Sequence, residues 1–479
     1  MKANKLVFST IVNTIINNYM IRHIVSSQLD KFIYNRVVVD KVSDIHLANI
    51  KIFQFISAIL NTAKINLDKG YVSPKVLHKL INMLTGGEFK ITKEQKMDDL
   101  QVKFKEKYKQ YPPLFIVLSP TQVCNLKCQN CYSSSDRTTK QSLPYNIVDK
   151  IMDDVYYLLG SKFIVISGGE PFMYRSNGKT LFNIFEKYND VFFLIYTNGT
   201  LITPDVADRL AKLGNVTPAV SVEGFEEDTD NRRGKGVHKK ILASFENLRK
   251  TGVPFGISVT ATSKNVNVLL SEKFYDYYFD ELGASYMWQF QIMPIGRIKE
   301  TFDRVVNPTD RVKLYRIWEK LLSEKKYPVA DFWNSGVLSG GCIAYGRWNG
   351  YLYIDWNGNI MPCVFVPYYV DNIIELYNKG KTLGDAILSD FIKNGQKWQY
   401  EYFNCHKNGL MPCSIRDHYD NFRKNILSKS AIGENIEAEE ILHSSEYYEF
   451  MKKYDKELKL LTDKIWENEY LKNGEKPIQ

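Results

Sequence analysis

From residue 114 to about residue 295 the chain repeats one pattern. A short apolar run rich in β-branched and aromatic residues stops at small or polar residues, and an amphipathic stretch follows. The runs are Leu114–Leu118, Phe163–Ile166, Val191–Tyr196, Pro218–Val222, Gly256–Thr260 and Gln289–Met293. Helical patterns such as Ile147–Leu159, Thr203–Leu213 and Lys239–Thr251 lie between them. Strands alternating with helices of about 10–15 residues imply βαβ units and a parallel sheet. Six such strands fit an α/β fold, a partial (β/α)6 TIM-like barrel. Polar residues cluster at the strand C-terminal ends, where barrel enzymes place their chemistry.

The first strand runs into three cysteines, Cys124, Cys128 and Cys131, spaced C-x3-C-x2-C. Three thiolates this close on one loop can bind three irons of a cubane and leave the fourth iron open to a substrate or cosubstrate. A structural zinc site would want two C-x2-C knuckles, and no second knuckle is present. The second run ends in Ser167-Gly168-Gly169-Glu170-Pro171. A strand exit made of two glycines brings bare backbone close to a ligand.

This loop, with the aromatic Tyr132 after its third cysteine, resembles the signature of the radical S-adenosylmethionine (SAM) enzymes. The resemblance implies a [4Fe–4S] cluster on Cys124, Cys128 and Cys131 that binds SAM at its open iron. It implies that Gly168, Gly169, Glu170 and Pro171 meet the SAM amino group, where the Glu170 carboxylate suits an ammonium. It also implies cofactor contacts for Tyr132 and Asn198, for Ser221 and Glu223 near the ribose, and for Ser258 near the methionine carboxylate. The Ile292–Arg297 turn, with Gly296, is expected near the adenine. The implied chemistry is reductive cleavage of SAM to a 5′-deoxyadenosyl radical, which abstracts a hydrogen from an unactivated C–H. An external one-electron donor of ferredoxin or flavodoxin type would be the redox partner.

Four cysteines come late: Cys342, Cys363, Cys405 and Cys413. The alternating Tyr351–Asp355 run leads into Asn357-Gly358-Asn359, a hairpin signal, and the return strand delivers Cys363. Two cysteines flanking a hairpin and two on a later loop can close a second cube. This resembles the SPASM and twitch extensions, which carry auxiliary iron–sulfur clusters, and implies one auxiliary [4Fe–4S] cluster here. Cys405, His406, Asp417 and His418 remain open as its fourth ligand. The odd cysteine total argues against structural disulfides.

The formal charge is +9, and its excess belongs to one segment: residues 1–110 hold 18 Lys/Arg against 9 Asp/Glu, and the remainder is balanced. No nucleic-acid motif accompanies it, so nucleic acid is disfavoured as a partner. Apolar pairs from Val7-Phe8 to Tyr19-Met20 and the run Ile50–Leu60 are too short to span a bilayer. They are expected either to pack on the barrel or to lie in a membrane interface. The loop residues Arg232, Arg233 and Lys235 are expected to meet an anionic substrate.

The expected organisation is a basic helical segment at 1–110, a radical SAM barrel at 111–325, a SPASM/twitch-like domain at 326–425 and a helical tail at 426–479. The resemblance implies an oxidoreductase or coupling enzyme with an auxiliary cluster supporting oxidative or C–C bond-forming chemistry. The N-terminal segment tips the expectation toward membrane lipid acyl chains. A peptide or protein maturase is the alternative, and a non-catalytic iron–sulfur electron carrier is a distant third. The expected location is cytoplasmic, with peripheral contact on the inner face of the membrane if the segment is interfacial.

Overall fold

A computed structural model describes residues 14–85, 99–296 and 302–472. Six parallel strands stand side by side in chain order: β1 (Phe115–Leu118), β2 (Phe163–Ile166), β3 (Phe192–Thr197), β4 (Val216–Val222), β5 (Gly256–Ala261) and β6 (Met287–Gln291). Each of the expected runs is a strand, with β6 starting two residues earlier than its run. β-Branched and aromatic side chains suit such a sheet because both of its faces are covered. Ile116, Ile164, Phe193 and Val216 are fully buried. Helices cross back between strands as their end signals direct. Thr203 accepts the Val206 N–H at the start of Pro204–Leu213, and Gly214, at φ +61°, ends it.

The sheet does not stop at six strands. β7 (Val329–Asp331) pairs parallel with β6, and β8 (Tyr351–Ile354) pairs parallel with β1. β8 then forms an antiparallel hairpin with β9 (Asn359–Met361), as the Asn-Gly signal implied. Both edges of the six-stranded barrel are therefore covered by residues that follow it in the chain, which moves the open edges of the sheet onto short later strands. The chain is a partial barrel with helices on its outside and an extension woven into its sheet.

Part of the N-terminal region packs on this body. The helix His46–Asp68 sets Lys51 against Glu319 at 2.8 Å, largely out of solvent. Farther along it, the Thr62 hydroxyl donates to the Ser285 oxygen and the Asn66 amide to the Gly283 oxygen. Ile50, Ile52, Phe53, Ile56 and Leu60 pack against Ile33, Val37 and Val38 of the preceding helical segment. The Ile50–Leu60 run thus packs against the preceding helical segment, on which Tyr19, Met20 and Ile24 stay exposed. Residues 7–13 of the earlier apolar repeat lie outside the described residues, as does Arg297. Among the described residues no helix is long and apolar enough to cross a membrane.

Candidate radical SAM site

The loop from β1 and the exit of β2 are laid backbone to backbone. Gly169 N–H donates to the Thr121 oxygen at 2.9 Å, and Glu170 N–H to the Val123 oxygen at 2.8 Å. A Cβ on Gly169 would lie 2.3 Å from the Val123 oxygen. One on Gly168, at φ +114°, would lie 2.5 Å from the Thr121 oxygen. Only glycine permits this approach, and it fixes the cysteine loop over the open end of the barrel.

Glu170 does different work from that expected. Its side chain is fully buried. It accepts from Phe172 N–H at 3.2 Å, the Thr197 hydroxyl at 2.8 Å and Asn198 N–H at 2.8 Å. It therefore ties the end of β2 to the end of β3. Burial pushes its carboxyl up to about 7 despite these donors. Asn198, held by Glu170, donates its own amide to Asn125 Oδ1 at 2.8 Å and points it at Cys124 Sγ, 3.8 Å away.

A cavity of about 230 Å³ opens inside the strand ends. Cys124, Cys128, Cys131, Tyr132, Gly168, Gly169, Asn198, Ser221, Ser258 and Ile292 all line it. The Ser221 and Ser258 hydroxyls are 3.0 Å apart on neighbouring strands. Four other candidates stand off this wall: Glu170, Pro171, Glu223 and Gly296. The Glu223 carboxylate is spent on Arg232 at 2.5 Å and on Arg233 at 2.5 and 2.9 Å. Gly296, at φ +62°, lets its loop pass the Tyr132 oxygen, which a Cβ would approach to 2.3 Å.

Arg232 and Arg233 line the cavity, and their guanidinium groups pair with Glu223. Arg232 also brackets the cysteine loop, its Nε donating to the Gln129 oxygen while its own oxygen accepts Gln129 N–H. Lys235 is exposed. The cationic pair thus steadies the loop between Cys128 and Cys131.

All seven cysteines are free thiols. Burial pushes the Cys124 thiol up to about 12 and raises Cys128, although Arg233 pulls the latter back. Iron binding must therefore displace protons from these groups. Among the described residues no three His, Cys, Asp or Glu side chains converge on one ion-sized point. A zinc ion would need its ligands at about 2.0–2.3 Å from a single centre. Three thiols spread along one cavity wall suit a cube, in which each thiolate takes its own iron.

Cys342, Cys363 and Cys413 line a second cavity, of about 170 Å³. The Cys363 sulfur accepts Phe365 N–H at 3.4 Å and lies 2.9 Å from the Tyr351 hydroxyl. Cys405 is not with them. It follows the helix Asp390–Asn404, is exposed, and is absent from that wall. Trp288, Phe332, Ile343 and Phe365 belong to both cavity walls, so the two cysteine groups share one aromatic partition. Sequence reasoning missed this partition. Alternation in β6 marks Trp288 and Phe290 as facing one side, but nothing local signals that Phe332 and Phe365 join them.

Residues 118–265 match the Radical SAM superfamily. Among curated relatives, the chain is 26% identical over 294 residues to an AdoMet-dependent heme synthase of Methanosarcina barkeri, covering 55% of this chain and 80% of that protein. It is 33% identical over 153 residues to the Fe-coproporphyrin III synthase of the same organism, covering 32% of this chain but only 38% of that protein. It is 28% identical over 263 residues to the mycofactocin maturase of Mycolicibacterium smegmatis, covering 53% of this chain and 64% of that protein. The family match runs from the end of β1 through the cysteine loop and the glycine pair to β5. Residues 118–265 thus form a radical SAM domain, and the cofactors of that superfamily are SAM and a [4Fe–4S] cluster.

Proposed function

We propose that this protein removes a hydrogen atom from an apolar side chain of a peptide substrate, and that Cys342, Cys363 and Cys413 hold an auxiliary [4Fe–4S] cluster that supports oxidation or bond formation at the resulting radical. The observation that carries the reading is the aromatic partition common to both cavities. A reacting group held in the first cavity lies one side-chain layer from the second cysteine group.

When bound, the cluster on Cys124, Cys128 and Cys131 and its SAM supply the hydrogen-abstracting radical chemistry. The chain supplies position and a dry, weakly polar enclosure. Phe290 packs on Phe332 at 5.4 Å and on Phe365 at 5.9 Å, giving a wall that excludes water and offers no easily lost polar hydrogen. Ser221, Ser258 and Asn198 bring polar groups to the lining of the same cavity. The peptide reading is supported by relatives named as maturases, one for mycofactocin and one for a sporulation killing factor. The lipid reading rested on an interfacial N-terminal segment, and no relative named here acts on a lipid; within that segment the helix His46–Asp68 bonds to the barrel side.

Reconstituted, reduced protein should be incubated with SAM and, in separate arms, with candidate peptides and with lipid extract. The expected result is 5′-deoxyadenosine formed in step with a peptide mass change, and Cys363→Ala should keep SAM cleavage while losing finished product. Product in the lipid arm alone would replace the peptide reading.

A further inference from the structure

Oxidation at a substrate radical leaves a proton to be removed. When the radical R• joins a group X–H, the products are R–X, one electron and one H+. The auxiliary [4Fe–4S]2+ cluster takes the electron. Neither cavity wall is built to take the proton: among the described residues neither is lined by an Asp, Glu, His or Lys. Glu170 and Glu223, close by, are committed to the donors given above. A set of hydroxyls does lead out of the first cavity. Ser167 lines it, and the Ser167 Oγ lies 2.9 Å from the Oγ of Ser119, which is fully buried. Tyr351 lines the same cavity, so Tyr353, two residues on in β8, faces the same side of the sheet. Tyr353 is 1% exposed, and its hydroxyl has no hydrogen-bond partner among the described residues. A buried hydroxyl left unpaired is costly, so its place here suits a partner that comes and goes. Its polar neighbours are Ser119, Tyr132, Asp355 and Glu434.

Glu434 ends this set. It is half-buried, between the paired residues Ile432–Gly433 and the helix Ile436–His443, and its N–H donates to the Pro367 oxygen at 2.9 Å. Among the described residues no donor and no cation meets its carboxyl. The charged groups facing it are Asp355, at the end of β8, and Glu437, on the following helix. Asp355 is itself saturated, accepting from Asn357 N–H at 2.8 Å, Asn359 N–H at 2.8 Å and the Asn359 amide at 3.0 Å. Burial, with Asp355 and Glu437 beside it, pushes the Glu434 carboxyl up to about 8. A carboxyl in that range can take up a proton near neutral pH and give it back. We propose that the proton released at the substrate radical leaves the first cavity by way of the Ser167, Ser119 and Tyr353 hydroxyls and is received by Glu434, which returns it to solvent. The inference rests on the proposed oxidation and adds the residues that carry its proton.

The test compares reconstituted full-length wild type with Glu434→Gln, Glu434→Asp and Tyr353→Phe, using whichever arm of the preceding experiment gives product. In Glu434→Gln and Tyr353→Phe the ratio of finished product to 5′-deoxyadenosine should fall about tenfold or more. Iron content checks folding, and if Glu434→Gln fails that check the ratio in Tyr353→Phe decides. Glu434 accepts a proton only when ionised, so wild-type product formation should rise with pH toward about 8. Glu434→Gln should flatten that rise and Glu434→Asp should restore it. Independently of turnover, infrared difference spectra of the substrate-free protein should show a carboxyl band that titrates near pH 8 and is missing from Glu434→Gln. Oxidised product made by Glu434→Gln at the wild-type ratio and with the wild-type pH profile would overturn the relay while leaving the oxidation standing. So would a Glu434 band that titrates in the ordinary carboxylate range. A redox-neutral product would instead overturn the oxidation itself, and the proton path with it.

Discussion

The Arg416 guanidinium donates to the Ile292 main-chain oxygen at 2.5 Å, joining the loop that carries Cys413 to the end of β6. The same group reaches Gln291 Oε1 at 3.3 Å and lies over the rings of Trp333 and Tyr454. Gln291, Ile292 and Met293 line the first cavity. One buried side chain thus connects the second cysteine site to the wall of the first.

Replacing Arg416 tests that connection. Lys cannot fork between Ile292 and Gln291, and a lost charge-assisted hydrogen bond costs about 1.5–3 kcal/mol. Arg416→Lys should weaken SAM binding by about tenfold or more while the iron on Cys342, Cys363 and Cys413 is retained. Equilibrium dialysis with labelled SAM, paired with iron analysis, reads both. Unchanged SAM affinity would show that the loop holds its shape without the arginine.

Glu170 makes stability depend on pH in a definite direction. Its folded value, about 7, lies above the ordinary value of 4.5, so folding favours the neutral carboxyl. That contribution is fully present below about pH 4.5 and is lost as the pH rises toward 7. Glu170→Gln removes the titration, so the variant should lose less stability than wild type across this window. At low pH the variant should itself be weaker by about 1–3 kcal/mol, because an amide turns a donor toward groups that already donate. Denaturant unfolding of the metal-free protein from pH 4.5 to 7.5 measures both effects. Parallel curves for the two proteins would mean that Glu170 does not titrate there.

Asp417 and Arg311 form a buried ion pair, and breaking such a pair from one side costs about 3–5 kcal/mol. Asp417→Asn should therefore lower stability and iron content together. In the double variant Arg311→Met with Asp417→Leu, no charge is stranded, so part of the stability and most of the second-site iron should return. An iron ligand at Asp417 would leave the double variant as iron-poor as the single one.

The helix His46–Asp68 is part of the folded body. Removing residues 1–70 should leave little soluble protein, since Lys51, Thr62 and Asn66 bond across to the barrel side. Lys51→Ala alone should cost about 1–3 kcal/mol. Sedimentation with anionic vesicles at low salt should not depend on this helix. A soluble truncation that loses vesicle binding would restore the interfacial reading.

The strands, the cysteine loop, the glycine pair and the β8–β9 hairpin were legible in the residues themselves. Each depends on interactions within a few positions: β-branched runs, three cysteines in eight residues, two adjacent glycines and an Asn-Gly turn. Which side chains face the cavities was decided only by segments far apart in the chain. Arg416 meets Ile292 across 124 positions. Glu170 turns inward because Thr197 and Asn198 arrive from the next strand. Arg232 and Arg233 are claimed by Glu223 at the end of β4. Cys405 lies seven residues before Pro412, where the chain joins the second cavity's wall. Spacing tells which atoms a loop can offer, but a ligand set also needs direction. A side chain's direction follows from what packs behind it, and here that is supplied by tertiary contacts.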